Sequence, residues 1–156
     1  FCDVISFNRY RFSARDLMPP KGVDKPVMIG EFHFGALDRG LLHTGLRSVL
    51  DQSQRGEVYA SYVRSALANP FMVGTHWFQW KDEPTIGRVL DEENYQIGFL
   101  DVADTPYAET IAVSREVGSR LYRARMVVAC SSRHWFISVA PSIGPHTAAA
   151  SSSASA

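Results

Sequence analysis

Apolar residues along this chain follow two rhythms, short runs that suit strands and longer stretches with helical spacing, and the two alternate. CDVISF, Cys2 to Phe7, is β-branched and apolar enough for a buried strand, with Asn8-Arg9-Tyr10 at its end. Alternation puts Asn8 on the side of Val4 and Ser6, and Tyr10 joins it if the strand continues. Arg11 to Asp24 carries Pro19-Pro20 and Gly22 and reads as a connection. KPVMIGEFHFG, Lys25 to Gly35, predicts a second strand in which Val27, Ile29, Glu31 and His33 share one face and Met28, Gly30, Phe32 and Phe34 the other. Its carboxylate, flanked by aromatics, stands where a core would not want charge.

Ala36 to Gly56 reads as a long loop, a kind of segment that in compact domains often carries function. From Glu57 to Asn69, the residues Val58, Tyr59, Tyr62, Val63, Ala66 and Leu67 form one helical stripe, which Asn69-Pro70 stops. FMVGTHWFQW, Phe71 to Trp80, predicts a third strand with Met72, Gly74, His76, Phe78 and Trp80 on one face. Lys81 to Asn94 is a polar loop, Tyr95 to Val102 a short extended piece, and Asp104-Thr105-Pro106 a helix start. Tyr107 to Arg125 is a closing helix that buries Ile111, Ala112, Val117, Leu121 and Tyr122. Strands alternating with helices predict an α/β fold with a parallel sheet. The expected domain spans 1–125, and 126–156 drifts into small-residue low complexity, expected to be an irregular or disordered tail.

With 156 residues, 46% of them hydrophobic, the chain suits one ordinary globular domain. It falls short of the ~250 residues of a whole (β/α)8 barrel, and it opens on Phe1 already within a strand-like run, so an amino-terminal part is expected to precede it. Sixteen basic and sixteen acidic side chains cancel, which points away from nucleic acid and anionic membrane surfaces and toward an uncharged ligand. No apolar run approaches the ~20 residues of a membrane span. Cys2 and Cys130 follow no metal spacing, and neither do Asp38, His33 and His43, so no metal or cofactor is expected. The compartment stays open.

If the face bearing Glu31 looks into a (β/α)8 barrel, Glu31 and His33 emerge at the carboxyl-end mouth, where that fold keeps its chemistry. Asn8 and Tyr10 after the first strand and His76 and Trp80 in the third would converge there. The set suits sugar chemistry: a flat indole for a pyranose face, hydrogen bonds from Asn8 and the histidines, and a nucleophile or base in Glu31. Bland alternatives stand beside each role, namely a solvated strand-end Glu31, barrel packing for Tyr10 and Trp80, a turn cap for Asn8, and hydrogen-bonded structural histidines. Asp82, Glu83, Glu92 and Glu93 read as solvated loop carboxylates. Glycoside hydrolysis needs two carboxyl groups across the scissile bond, and one strong candidate is visible.

DVISFNRY, Asp3 to Tyr10, resembles the sixth strand of clan A retaining β-glycosidases, KPVMIGEF, Lys25 to Phe32, their seventh, and GTHWFQW, Gly74 to Trp80, their eighth. GEFHFGALDRG, Gly30 to Gly40, GTHWFQWKDEPTIGR, Gly74 to Arg88, and ENYQIGF, Glu93 to Phe99, look most like β-agarases of glycoside hydrolase family 50. The resemblance implies the last three strand and helix units of a (β/α)8 barrel, with Glu31 as nucleophile, Tyr10 orienting it and Trp80 under the sugar. Glu93 and Asn94 fall inside it and become sugar-binding candidates. The family's acid/base glutamate, at the end of the fourth strand, has no counterpart in this chain. The expected activity is retaining hydrolysis of a galactan by the parent protein, the isolated chain being inactive. The alternatives are an exo-β-galactosidase or β-glucuronidase, or a non-catalytic sugar-binding or structural remnant.

Overall fold

The computed structural model describes residues 2–40 and 43–131. Its element order is β1 (Ile5–Asn8), β2 (Val27–Phe32), α1 (Gln52–Leu67), β3 (Met72–Trp77) and α2 (Ala108–Ser131). The strands form one parallel sheet in the order β1-β2-β3. A parallel neighbour needs a crossover, and α1 supplies it between β2 and β3. The expected α/β class with a parallel sheet is what the chain adopts.

One face of the sheet carries the helices. Val27, Ile29, Phe32 and Phe34 from β2 and the residues after it pack with Tyr62, Val63 and Ala66 of α1, Met72 of β3 and Val117 of α2. Phe32 stacks on Tyr62 with ring centroids 4.1 Å apart and meets Trp77 edge-on at 5.2 Å. Burying one such ring contributes about 2–3 kcal/mol. The opposite face has no covering layer among the described residues, and Ser6, Asn8, Val73 and His76 on it are exposed.

Helix α1 begins five residues ahead of the expected Glu57. Asp51 caps it by accepting the Gln54 N–H at 2.8 Å, and Leu50 N donates to Gln54 Oε1 at 2.7 Å. The apolar stripe missed this first turn because its buried residues are Gln52, Arg55 and Gly56. A Cβ on Gly56 would press on Glu109 O and Val113 Cγ2, both at 3.3 Å, so glycine here permits the close approach of α2. At the other end, Arg125 donates to the carbonyls of Leu67, Asn69 and Pro70 at 3.0, 2.7 and 2.9 Å, satisfying groups that a helix terminus leaves open.

Helix α2 continues through Ser131, past the boundary expected after Arg125. Residues 132–156, the rest of the expected tail, lie outside the described residues. Val117 is buried and Leu121 packs on the core as expected, but Tyr122 is 88% exposed and Ala112 is exposed too. The face of α2 that meets α1 runs through Glu109, Val113 and Val117, so a stripe drawn through Tyr122 was rotated away from the real contact. No helix among the described residues is long and apolar enough to cross a membrane.

Candidate functional site

Strict alternation fails at the centre of β2. Val27 and Ile29 are fully buried under the helices, so Glu31, two residues on, would follow them into the core. A bulge intervenes: Phe7 pairs with Ile29 but Asn8 pairs with Glu31, one residue of β1 against two of β2. Phe32 takes the core position and Glu31 escapes it, half-buried. The expected shared face of Val27, Ile29, Glu31 and His33 is therefore broken. Gly30 is the hinge residue, because a Cβ there would fall 2.5 Å from Ser6 Oγ and 2.9 Å from Asn8 Oδ1.

Tyr10 Oη donates to Glu31 Oε2 at 2.7 Å. Burial first, then this bond and the negative charges of Glu31 and Glu93, raise the phenol's pKa, so it stays a protonated donor. Its ring lies 4.7 Å from that of His33. His33 is 1% exposed, and its Nε2 accepts the Leu46 N–H at 2.8 Å. Burial pushes its pKa down to about 4, leaving a neutral imidazole. Gly45 lies so close that a Cβ would sit 2.5 Å from His33 Nε2, and its φ of +73° suits glycine. His33 thus braces Tyr10 on one side and the loop through Leu46 on the other. That loop stacks His43 on Tyr95 at 4.9 Å, and His43 O accepts the Gln96 N–H.

The segment between β3 and α2 builds the adjoining wall. Asp82 and Glu83 are 4% and 0% exposed, which corrects the reading of them as solvated loop carboxylates. Asp82 accepts from Tyr107 Oη and Gly98 N, both at 2.6 Å, and Glu83 Oε2 accepts the Tyr95 N–H at 2.8 Å. Arg55, wholly buried, lies 5.6 Å from the Trp77 ring centroid and 5.0 Å from that of Tyr107, and it donates to Gln52 Oε1 and Gly98 O. Burial lowers its pKa to about 10, against the pull of the Asp82 charge. This polar weld holds the segment against α1. Beyond it Arg88 lies 5.3 Å from the centroid of Phe78 and reaches Glu93 at 2.6 Å. Phe78 is in turn 6.2 Å from His33, so one wall carries Glu31, Tyr10, His33, Phe78, Arg88 and Glu93. Asn94 is half-buried beside Glu93 in the chain.

Trp80 is not drawn into this cluster. Its indole, 68% exposed, lies 5.9 Å from the Phe99 ring and borders a hollow of about 350 Å³ with Tyr59, Ile111 and Arg115. Alternation put Trp80 beside Phe78, but β3 ends at Trp77, whose Nε1 donates to Ile97 O at 2.8 Å from within the aromatic core. Past that point the strand period no longer governs. Phe78 and Arg88 join this candidate cluster without having been singled out by sequence reasoning, Phe78 hidden among neighbouring aromatics and Arg88 inside a polar loop. Asn8 is exposed at the end of β1, next to Gly30, and His76 is exposed in β3. Among the described residues no group of three His, Cys, Asp or Glu could hold a metal ion. Asp38 is taken up by Gln52, and His43 Nδ1 by the Gly45 N–H.

No family model matches the chain. β-Agarase B of Vibrio sp. (strain JT0107) is 41% identical over 128 residues, covering 80% of this chain. The chain spans only 13% of that relative's length. A solved exo-β-agarase superimposes with a TM-score of 0.73 at 44% identity, over 80% of this chain and 17% of the other. A β-glucuronidase of Faecalibacterium prausnitzii shares the fold alone, with a TM-score of 0.51 at 16% identity over 75% of this chain and 22% of that one.

Proposed function

The chain is a homologue of the β-agarases across four-fifths of its length, and from that premise we propose that it carries the nucleophile side of a retaining β-galactan hydrolase. In this reading residues 1–125 are part of a catalytic (β/α)8 domain, β1, β2 and β3 are its last three strands, and the uncovered sheet face turns toward the barrel axis. The observation that carries it is the Tyr10 Oη to Glu31 Oε2 hydrogen bond of 2.7 Å at the carboxyl ends of adjacent parallel strands.

Ionised Glu31 attacks the anomeric carbon of a β-linked galactose unit, forming a glycosyl-enzyme with retention. Tyr10, bonded to the charged form, orients the carboxylate and leaves its Oε1 for the attack. An acid/base carboxyl from a part of the protein outside this chain protonates the leaving oxygen and then activates water. Residues 1–156 alone therefore lack turnover. His33 acts from behind, bracing Tyr10, while Glu93, Asn94, Asn8 and His76 are available to sugar hydroxyls. Phe78 takes the apolar platform role first given to Trp80, supported by its place beside His33. The galactan substrate is preferred over a β-glucuronide because the agarase likeness extends to sequence and the glucuronidase likeness is one of fold alone.

Glu31→Gln in the full-length protein tests this. Release of reducing ends from agarose falls by at least about 1,000-fold, as expected for a lost nucleophile. Ordinary turnover in that variant removes Glu31 from the mechanism.

A further inference from the structure

Arg88 is held in place more firmly than an arginine on a loop needs to be. Arg88 N donates to Glu93 O at 2.9 Å and Glu92 N to Arg88 O at 2.8 Å, closing a tight loop. Gly87 enters this loop with φ +88°, and a Cβ there would lie 2.7 Å from Glu92 O. Within it the guanidinium is gripped by carboxylates: Nε and Nη2 reach Asp91 at 3.0 and 2.5 Å, Nη2 reaches Glu93 at 2.6 Å, and Nε lies 3.5 Å from buried Glu83. Its guanidinium carbon lies over the Phe78 ring, 5.3 Å from the centroid. These contacts use Nε and Nη2, whereas among the described residues no hydrogen bond falls on Nη1, although the side chain is 28% accessible. An arginine has five N–H donors in a fixed fork, so an orientation locked from one edge leaves the other pre-set for a ligand.

We propose that Arg88 is a substrate-binding residue, its Nη1 edge donating to a hydroxyl of a neutral galactan unit that packs against Phe78 beside the Glu31–Tyr10 pair. The inference rests on the galactan reading given above and extends it to a residue outside the strand ends. Nearby carboxylates suit a neutral sugar, since Glu83, Asp91 and Glu93 together outweigh the one guanidinium and would repel an anionic one. Glu93 serves the same contact from the other side by fixing the fork and offering its remaining acceptor capacity to an adjacent hydroxyl.

The test uses the full-length protein in the turnover-deficient Glu31→Gln form, titrated calorimetrically with neutral oligosaccharides prepared from agarose. Arg88→Lys keeps the positive charge but loses the fork, and it weakens binding about tenfold, the scale of one charge-assisted hydrogen bond. With Glu31 restored, the same substitution raises KM about tenfold with a smaller change in kcat. Unchanged affinity in a folded Arg88→Lys protein overturns the contact while leaving the galactan reading intact. If the folded Glu31→Gln protein binds none of these oligosaccharides, the galactan reading itself fails and the contact falls with it.

Discussion

Two tyrosines in this chain donate to carboxylates at nearly the same distance, 2.6 Å from Tyr107 to Asp82 and 2.7 Å from Tyr10 to Glu31. Burial is the leading cause that raises both phenol pKa values. The surroundings of the acids differ. Asp82 is 4% exposed, its second oxygen takes the Gly98 N–H, and the Arg55 guanidinium lowers the penalty of its burial. Glu31 is half-buried, and its Oε1 has no hydrogen bond within the described chain. Among the described residues one carboxylate has both oxygens engaged by the fold, whereas the other meets a single donor. A hydrogen-bonded tyrosine and acid do not by themselves mark an active centre.

The sharpest way to break this comparison is to remove both acids in the full-length protein. Asp82→Ala leaves the buried Tyr107 hydroxyl and Gly98 N–H without their acceptor and is expected to lower unfolding stability by about 3 kcal/mol, read by urea denaturation. Glu31→Gln, in contrast, leaves stability within about 1 kcal/mol or raises it, because Glu31 is half-buried and a glutamine oxygen can still accept from Tyr10 Oη. Equal stability losses in the two variants would dissolve the distinction.

The next largest effect concerns the brace behind Tyr10. His33 is lowered from 6.5 to about 4, so as pH falls below 6.5 the unfolded chain binds a proton that the folded one refuses. Stability is complete above pH 6.5 and declines toward pH 4 by up to about 3 kcal/mol, taking ~1.36 kcal/mol per pH unit. Melting temperatures across that range should show the slope, and His33→Gln should flatten it. The smallest effects come from the phenols. Tyr107→Phe leaves an Asp82 oxygen unsatisfied and is expected to cost about 1–3 kcal/mol of stability without moving the pH profile of turnover. Tyr10→Phe reverses the pattern, lowering kcat/KM roughly tenfold with stability little changed.

The uneven legibility of the chain has physical causes. Apolar runs at Ile5, Val27 to Ile29 and Met72 announced three strands, and the stripe from Val58 to Leu67 announced α1, because burial of apolar surface is written directly in residue type. The first turn of α1 stayed hidden since its core contacts are Gln52 and Arg55, polar groups whose burial depends on partners in distant segments. Asp82 and Glu83 looked solvated for the same reason.

At the site, residue type and motif alone singled out Glu31 and Tyr10, and the motifs alone carried the agarase likeness. Tertiary structure decided how Glu31 leaves the core, through a bulge at Gly30 that alternation cannot foresee, since it arises from the fit of β1 side chains over that glycine. It also decided that Phe78, and not Trp80, stands by His33, and that Arg88 returns from its loop to cover that ring. Local sequence sets which groups want burial and which can react. Only the packing of separate segments determines which polar groups are satisfied and which remain free to meet a ligand.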